Sequence, residues 1–188
     1  CIAKSRGSKV LEEVLGKTYG GTIVSDFFSA YVKYASALQQ FCLAHLIRDV
    51  NYLTTLSDKA TKKYGDNMLA RLRTLFHVIH RRERMSEAGF QRALEKARKR
   101  LVFTATHPPC TGAANNLAER FRKHGDAYFQ FITTPGIEPT NNLAEQAIRF
   151  VVIDRRITQG TRGEAGRRWS ERIWTTIATC AQHGRSVC

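Results

Sequence analysis

The stretch GTIVSDFFSAYVKYASALQQFCLAH, at residues 21–45, decides the fold. Its first part, GTIVSD at 21–26, is a short run with β-branched residues that ends in an acid, which is typical of a strand. FFSAYVKYA follows at 27–35 with apolar residues at helical spacing. LQQFCLAH at 38–45 is a second strand candidate, and it runs into a segment of helical period. The order of strand, helix, strand and helix predicts an α/β fold.

Residues 58–131 follow a different pattern, in which apolar residues recur at helical spacing and no alternating segment predicts a strand. The two clearest apolar stripes comprise Leu69, Leu72, Leu75, Phe76 and Ile79, then Phe90, Leu94, Ala97 and Leu101. We therefore predict a core in two parts, residues 1–57 and 132–188, separated by an all-helical insertion at 58–131.

The composition indicates a folded, basic protein. The chain has 188 residues, 43% of them hydrophobic, which excludes a mostly disordered tail. It carries 30 Lys and Arg residues against 16 Asp and Glu, a formal net charge of +14. Such a charge attracts polyanions, of which nucleic acid is the commonest, although a basic solvated surface is the alternative explanation.

Neither a membrane span nor a disulfide framework is expected. No apolar run approaches the roughly 18 residues that cross a bilayer, and the first residues lack the apolar stretch of a signal peptide. The five cysteines are an odd number without CxxC spacing, which favours free thiols in a reducing compartment. Cys42 and His45 could form half a zinc site, but no second pair has matching spacing, so a structural role is favoured.

Two acids are candidates for catalysis, and each also has a simpler explanation. Asp26 ends the first predicted strand, at the rim where open α/β sheets bind ligands, but it could instead cap the following helix. Glu145 lies in NNLAE, where Asn142 and Glu145 also fit a capping box. Neither acid identifies an active site by itself.

Several motifs together resemble the insertion sequence 66 family of bacterial DDE transposases. They are SDFFSAY at 25–31, FCLAH with Arg48 at 41–48, PTNNLAEQAIR at 139–149, VVIDRRITQGTRGEAG at 151–166 and IATCAQHG at 177–184. The resemblance implies a ribonuclease H-like fold in which Asp26 is the second acid and Glu145 the last acid of the triad. It also implies Mg²⁺ or Mn²⁺ bound by these two acids, and Mg²⁺-dependent DNA cleavage and strand transfer in the bacterial cytoplasm, at the nucleoid.

Two departures from the family pattern limit this interpretation. The first acid of the triad belongs on the first strand, and nothing before residue 10 could supply three leading strands. We therefore expect a partial ribonuclease H-like core, the C-terminal piece of a longer protein, inactive by itself. The second departure is Gln146, which follows Glu145 where the family pattern has Arg.

NNLAE occurs twice, so Glu119 is a rival for the last acid. The second copy is favoured because Pro139 and Thr140 lead into it and Arg149 follows Glu145 by one helical turn, where it can pair with that acid or contact a phosphate. The first copy lies within the helical run of residues 58–131.

The segment 149–172 contains seven arginines with glycines between them, which predicts a DNA-contacting loop rather than a merely solvated one. The predicted DNA-binding residues are Asn141, Asn142, Arg149, Arg155, Arg156, Arg162, Arg167 and Arg168. Trp169 and Trp174 are predicted to fill the core. The expected partners are transposon ends and target DNA, with a homo-oligomer on DNA as a further option. The alternative function is a catalytically inactive protein that binds nucleic acid through its basic surface.

Overall fold

The structure is a computed structural model that describes residues 7–34 and 37–186. It contains two compact units. The larger unit is Leu15–Asn141, and the smaller unit comprises the described residues of Cys1–Val14 and Asn142–Cys188.

A two-stranded parallel sheet begins the larger unit. Strand β1 is Thr22–Ser25 and strand β2 is Leu38–Phe41, and they pair in register from Thr22 opposite Leu38 to Ser25 opposite Phe41. Both strands lie where the sequence predicts them, although β2 ends four residues before His45. The parallel direction requires a crossover connection, which the helix between the strands provides.

That connecting helix, α2, is Ser29–Val32, much shorter than the predicted segment 27–35, of which Ala35 lies outside the described residues. Its N-cap is Phe28, whose side chain makes no capping hydrogen bond. The explanation of Asp26 as the helix cap is therefore wrong. The helix starts late because the backbone of Phe28 is extended, with φ −87° and ψ 137°. The Phe27 ring packs edge-on against the buried Phe41 ring, with 5.0 Å between centroids.

Helices form the rest of the larger unit: α3 Leu43–Thr55, α4 Lys59–His80, α5 Glu87–Thr106, α6 Gly112–His124 and α7 Gln130–Thr133. Asp58 caps α4 by accepting from the Thr61 backbone N–H at 2.6 Å, and Ser86 caps α5 by accepting from Gly89. Residues 58–131, all of them described, contain no strand. Whether they are an insertion in a ribonuclease H-like core stays a prediction.

One hydrophobic core joins these helices to β2. It comprises apolar side chains from every helix from α3 to α6, among them Leu46, Val50, Met68, Leu72, Leu75, Leu94, Leu101, Leu117 and Phe121. A fully buried polar residue, Gln40, lies beside it in β2. Gln40 Nε2 donates to the Tyr128 carbonyl at 3.2 Å and Oε1 accepts from the Phe131 N–H at 2.9 Å. These bonds fix Tyr128 and the start of α7 to the sheet.

The smaller unit consists of α8 Asn142–Thr158, α9 Glu164–Gln182 and helix α1 Ser8–Leu15 except for its last residue, Leu15, which belongs to the larger unit. No residue of α8 is buried, and its exposed apolar side chains are Leu143, Ile148, Phe150, Ile153 and Ile157. Trp169 is 64% exposed, so the prediction that it fills the core is wrong. Trp174 is half-buried, and its indole N–H donates to Asp154 in α8 at 3.3 Å.

None of the helices within the described residues has the length and apolar content needed to cross a bilayer. Cys42, Cys110 and Cys180 are free thiols, as expected, whereas Cys1 and Cys188 lie outside the described residues.

Candidate functional site at the sheet edge

The carboxyl ends of the two parallel strands meet at one edge of the sheet. Asp26 follows β1 directly, and Cys42 follows β2 directly. The Cys42 N–H donates to the Ser25 carbonyl at 2.7 Å, which extends the pairing to the last residue of β1. The sequence therefore places Asp26 at the edge where α/β sheets usually bind ligands.

A distant segment of the chain reaches the same edge. The Pro139 carbonyl accepts from the Leu43 N–H at 2.9 Å, at the first turn of α3. Two residues later the Asn141 N–H donates to the Cys42 sulfur at 3.4 Å. These two bonds bring the PTN part of the PTNNLAE motif to the strand ends, so Asp26 and Asn141 belong to one edge of the larger unit.

Two side-chain oxygens in this part of the structure are buried without a hydrogen-bond partner. They are Oδ1 of Asp26 and Oδ1 of Asn141. A buried polar atom without a partner costs about 1–3 kcal/mol, so most proteins avoid it except where a ligand supplies the missing contact. Unpartnered oxygens at the sheet edge are thus the strongest local sign of a ligand site.

Arg120 of α6 contacts residues from three parts of the chain near this edge. Its Nη1 donates to Asp49 Oδ2 at 2.6 Å and to the Tyr128 hydroxyl at 3.2 Å. Its guanidinium also lies over the ring of Phe27, 4.6 Å from the centroid. Burial raises the pKa of Tyr128, which Arg120 opposes. Because Phe27 is the residue next to Asp26, this contact connects the helical segment to the candidate acid.

Cys42 has a structural role at the edge, since it is 1% exposed and its sulfur accepts the Asn141 hydrogen bond. His45 lies one turn further along α3, and its Nε2 is 3.3 Å from an Arg48 guanidinium nitrogen. Among the described residues, no three or more His, Cys, Asp or Glu side chains form a group that could hold a metal.

Glu145 and its rival Glu119 occupy different environments. Glu145 is half-buried in the first turn of α8, in the smaller unit, four residues after Asn141. Since α8 begins at Asn142, Asn142 is its first residue rather than its cap. Glu119 is exposed on α6 and forms ion pairs with Arg122 and Lys123 of the same helix. An ordinary surface pairing accounts for Glu119, so the preference for Glu145 stands as a prediction.

The predicted DNA-binding arginines lie in the smaller unit. Arg149, Arg155 and Arg156 are exposed on α8, and Arg162 is exposed in the following loop, where Gly160 has a φ of 76°. Asn142 is exposed too. By contrast, Arg167 and Arg168 pair with Glu164 at 2.5 and 3.1 Å, and these hydrogen bonds lower the pKa of Glu164.

The motifs that meet at the sheet edge belong to a known sequence family. The sequence model described as "Transposase IS66 family" matches residues 1–168. The chain belongs to this family of transposases. The resemblance inferred from SDFFSAY and PTNNLAE is therefore confirmed. No curated protein and no solved structure matches the chain.

Membership of a DDE transposase family implies a DNA substrate and a divalent metal ion. Hard divalent cations prefer carboxylate and amide oxygens, so the unpartnered oxygens of Asp26 and Asn141 are of the ligand type that such an ion binds. The transposase thus has suitable oxygens at the predicted edge.

Three residues near this edge are not predicted by the sequence pattern. The first is Asn141 as a neighbour of Cys42, since the sequence predicts only a DNA contact for it. The second is Arg120, and the third is Gln40, a fully buried amide in a short strand. The signal for Gln40 was present, because an amide beside an apolar strand residue requires internal partners.

Proposed function

We propose that this transposase chain is the C-terminal portion of a catalytic core that cleaves DNA and transfers strands with a divalent metal, Mg²⁺ or Mn²⁺. Asp26 and Glu145 are the proposed metal ligands. The observation that supports the proposal is the buried, unpartnered Oδ1 of Asp26 at the carboxyl edge of a parallel sheet, where the PTN segment docks. A ribonuclease H-like core with residues 58–131 as its insertion is part of the same proposal.

In the proposed reaction, a water oxygen attacks a phosphorus at the transposon end and the bond to the 3′-oxygen breaks, leaving a 3′-hydroxyl. That hydroxyl then attacks a phosphorus of target DNA and displaces a target 3′-oxygen. A divalent metal held by Asp26 and Glu145 would activate the attacking oxygen and stabilise the leaving one. The chain's own residues support the edge around Asp26: the Cys42 sulfur accepts from the Asn141 N–H, and Arg120 packs on the ring of Phe27, next to Asp26.

The proposed DNA contacts are Asn141, Asn142, Arg149, Arg155, Arg156, Arg162, Arg167 and Arg168. Four of these arginines are exposed without a carboxylate partner among the described residues, so their guanidiniums are available to phosphate: Arg149, Arg155, Arg156 and Arg162. Arg167 and Arg168 would first have to break their ion pairs with Glu164 before they could bind a phosphate. Action on nucleoid DNA in the bacterial cytoplasm, as a homo-oligomer, completes the proposal.

Metal binding is tested by thermal unfolding with and without MgCl₂ or MnCl₂. At ten times the dissociation constant a bound ion adds about 1.4 kcal/mol, which raises Tm by about 3 to 6 °C for a chain of this size. The shift should disappear in Asp26→Ala and Glu145→Ala. Glu119→Ala is the matched control, because it changes the same residue of the other NNLAE copy and should keep the shift. A shift lost in Glu119→Ala and kept in Glu145→Ala would reverse the assignment.

DNA binding is tested with two duplexes of unrelated sequence at several salt concentrations. We expect similar affinity for both and a steep loss with salt, since a charge of +14 binds mainly by counterion release. We expect no cleavage with Mg²⁺ or Mn²⁺, because the resemblance implies a further acid on a leading strand, and no strand precedes β1 within residues 7–34. Cleavage that disappears in Glu145→Ala would refute the expected inactivity.

The alternative, an inactive binder of nucleic acid, predicts the same salt dependence. It differs in the metal experiment, where it predicts no shift in Tm for any variant. The two functions are therefore separated by one measurement on the same protein.

A further inference from the structure

The exposed face of α5 carries a row of four basic side chains. The row, called here the α5 stripe, consists of Arg92, Lys96, Lys99 and Arg100, all exposed. Their spacing of four, three and one residues keeps them on one side of the helix. The buried residues of α5, such as Leu94 and Leu101, lie on the opposite side.

The stripe's charges are mostly unneutralised. Among the described residues, only Lys99 of the stripe pairs with a carboxylate, that of Glu95 at 3.8 Å; the Lys99 side chain is 76% exposed and the Glu95 side chain 39%. The other three stripe residues pair with no acid in the described part of the chain. A merely solvated helix face usually mixes acids and bases, and here the acid at its edge pairs with the neighbouring Arg98 at 3.3 Å.

The stripe borders a shallow depression of about 700 Å³, whose lining also includes Gln91, Glu95 and Ile132 of α7. The lining therefore carries four cations against one carboxylate, a surface that attracts a polyanion.

The position of α5 is fixed relative to the sheet edge. Arg98 pairs with Asp126 at 2.9 Å and its guanidinium lies over the Phe129 ring, 5.5 Å from the centroid. Tyr128, next to Phe129, is joined by its carbonyl to Gln40 of β2. These contacts connect α5 to the sheet within the larger unit.

We propose that the α5 stripe is a second DNA-binding surface, which holds the phosphate backbone of a duplex while the sheet edge acts elsewhere on the same DNA. This inference rests on the proposed function. From Arg92 to Arg100 the helix rises about 12 Å. One DNA strand carries a phosphate about every 3.4 Å of axis, so the stripe spans about three to four phosphates. Its four cations match that number.

The test compares two variants that each lower the net charge from +14 to +10, that is, by four. The first replaces Arg92, Lys96, Lys99 and Arg100 by Gln. The second is the control and replaces Lys62, Lys63, Arg71 and Arg73 of α4 by Gln; these are also exposed but are spread around their helix with Asp66 among them. Because all eight side chains are exposed, both variants should fold, which circular dichroism checks.

For the stripe variant we expect the slope of log Kobs against log salt to fall by about 3, and the affinity at low salt to fall more than about tenfold. The α4 variant should change the slope by less than about 1. A third variant, R92K/K96R/K99R/R100K, keeps the charge and should restore binding.

The two hypotheses fail in different ways. If the unsubstituted chain does not bind duplex DNA, the proposed function fails. If it binds and the two Gln variants lose affinity equally, only the stripe is overturned, since net charge alone would then explain binding. Failure of the charge-keeping variant to bind while it remains folded would also overturn the stripe.

Discussion

Replacing Asp26 by Ala should stabilise the transposase, although the proposed function places this acid at the reaction. The reason is the buried Oδ1 that no donor contacts. Removing an unsatisfied polar atom of this kind gains about 1–3 kcal/mol, and the lower half of that range applies because Asp26 is only half-buried. We expect a gain of about 1 kcal/mol in the free energy of unfolding.

The same substitution at Asp49 should have the opposite sign. Asp49 accepts the 2.6 Å hydrogen bond from Arg120, a guanidinium whose side chain is 20% exposed. A hydrogen bond between charged groups contributes about 1.5–3 kcal/mol, which is discounted to about 2 because the Asp49 side chain is 47% exposed. The two variants should therefore differ by about 3 kcal/mol, or about 6 to 12 °C in Tm.

The assay is thermal and urea unfolding without added metal, followed by far-UV circular dichroism. Tryptophan fluorescence is unsuitable because Trp169 and Trp174 both belong to the smaller unit, whereas both acids lie in the larger one. If Asp26→Ala proved as destabilising as Asp49→Ala, Oδ1 of Asp26 would have an ordinary partner and the ligand site would lose its main support.

Two further substitutions test the core around the sheet. Gln40→Leu should cost about 2 to 4 kcal/mol of stability, because it breaks the bonds to Tyr128 and Phe131 and leaves their buried backbone groups unsatisfied. The control Gln39→Leu, on the same strand, should cost less than about 1 kcal/mol, and equal costs in the two variants would contradict this account. Burial raises the pKa of Tyr64 to about 12, so its neutral form is favoured by folding and stability is lost as pH rises from about 10 to 12. Tyr64 should contribute about 2 kcal/mol to the stability lost between pH 9 and pH 11.5 in urea unfolding, so the loss should be smaller by that amount in Tyr64→Phe and unchanged in the exposed Tyr52→Phe. Burial also raises the pKa of Tyr128, whose contribution remains in both variants. A loss equally large in the two variants would contradict this account.

Local pattern was enough to predict the elements whose sequence and packing agree. The β-branched run before Asp26 forms β1, and the apolar stripe of Leu69, Leu72 and Leu75 faces the core along α4. In these segments the apolar residues recur at the period of the element, and the fold buries the face on which that period places them.

Tertiary contacts decided the parts that the sequence did not predict. Helix α2 begins only at Ser29, because Phe28 has an extended backbone where Phe27 packs against Phe41. Trp169 has helical spacing with Ile173, four residues further on, yet it is exposed, since period shows which residues share a face and not what covers that face. The docking of Asn141 on Cys42 joins residues 99 apart in sequence, a contact that no local pattern encodes.

The hydrogen bond from Asn141 to Cys42 also makes the Cys42 thiol a chemical probe for the opening of the sheet edge. The Cys42 thiol is 1% exposed, so an alkylating reagent can reach it only after the PTN segment has lifted from the strand ends. Cys110 is exposed and reports the intrinsic reactivity of a free thiol under the same conditions. The ratio of the two alkylation rates therefore measures how often the edge opens, and its change on adding DNA or metal would follow the assembly of the site in real time.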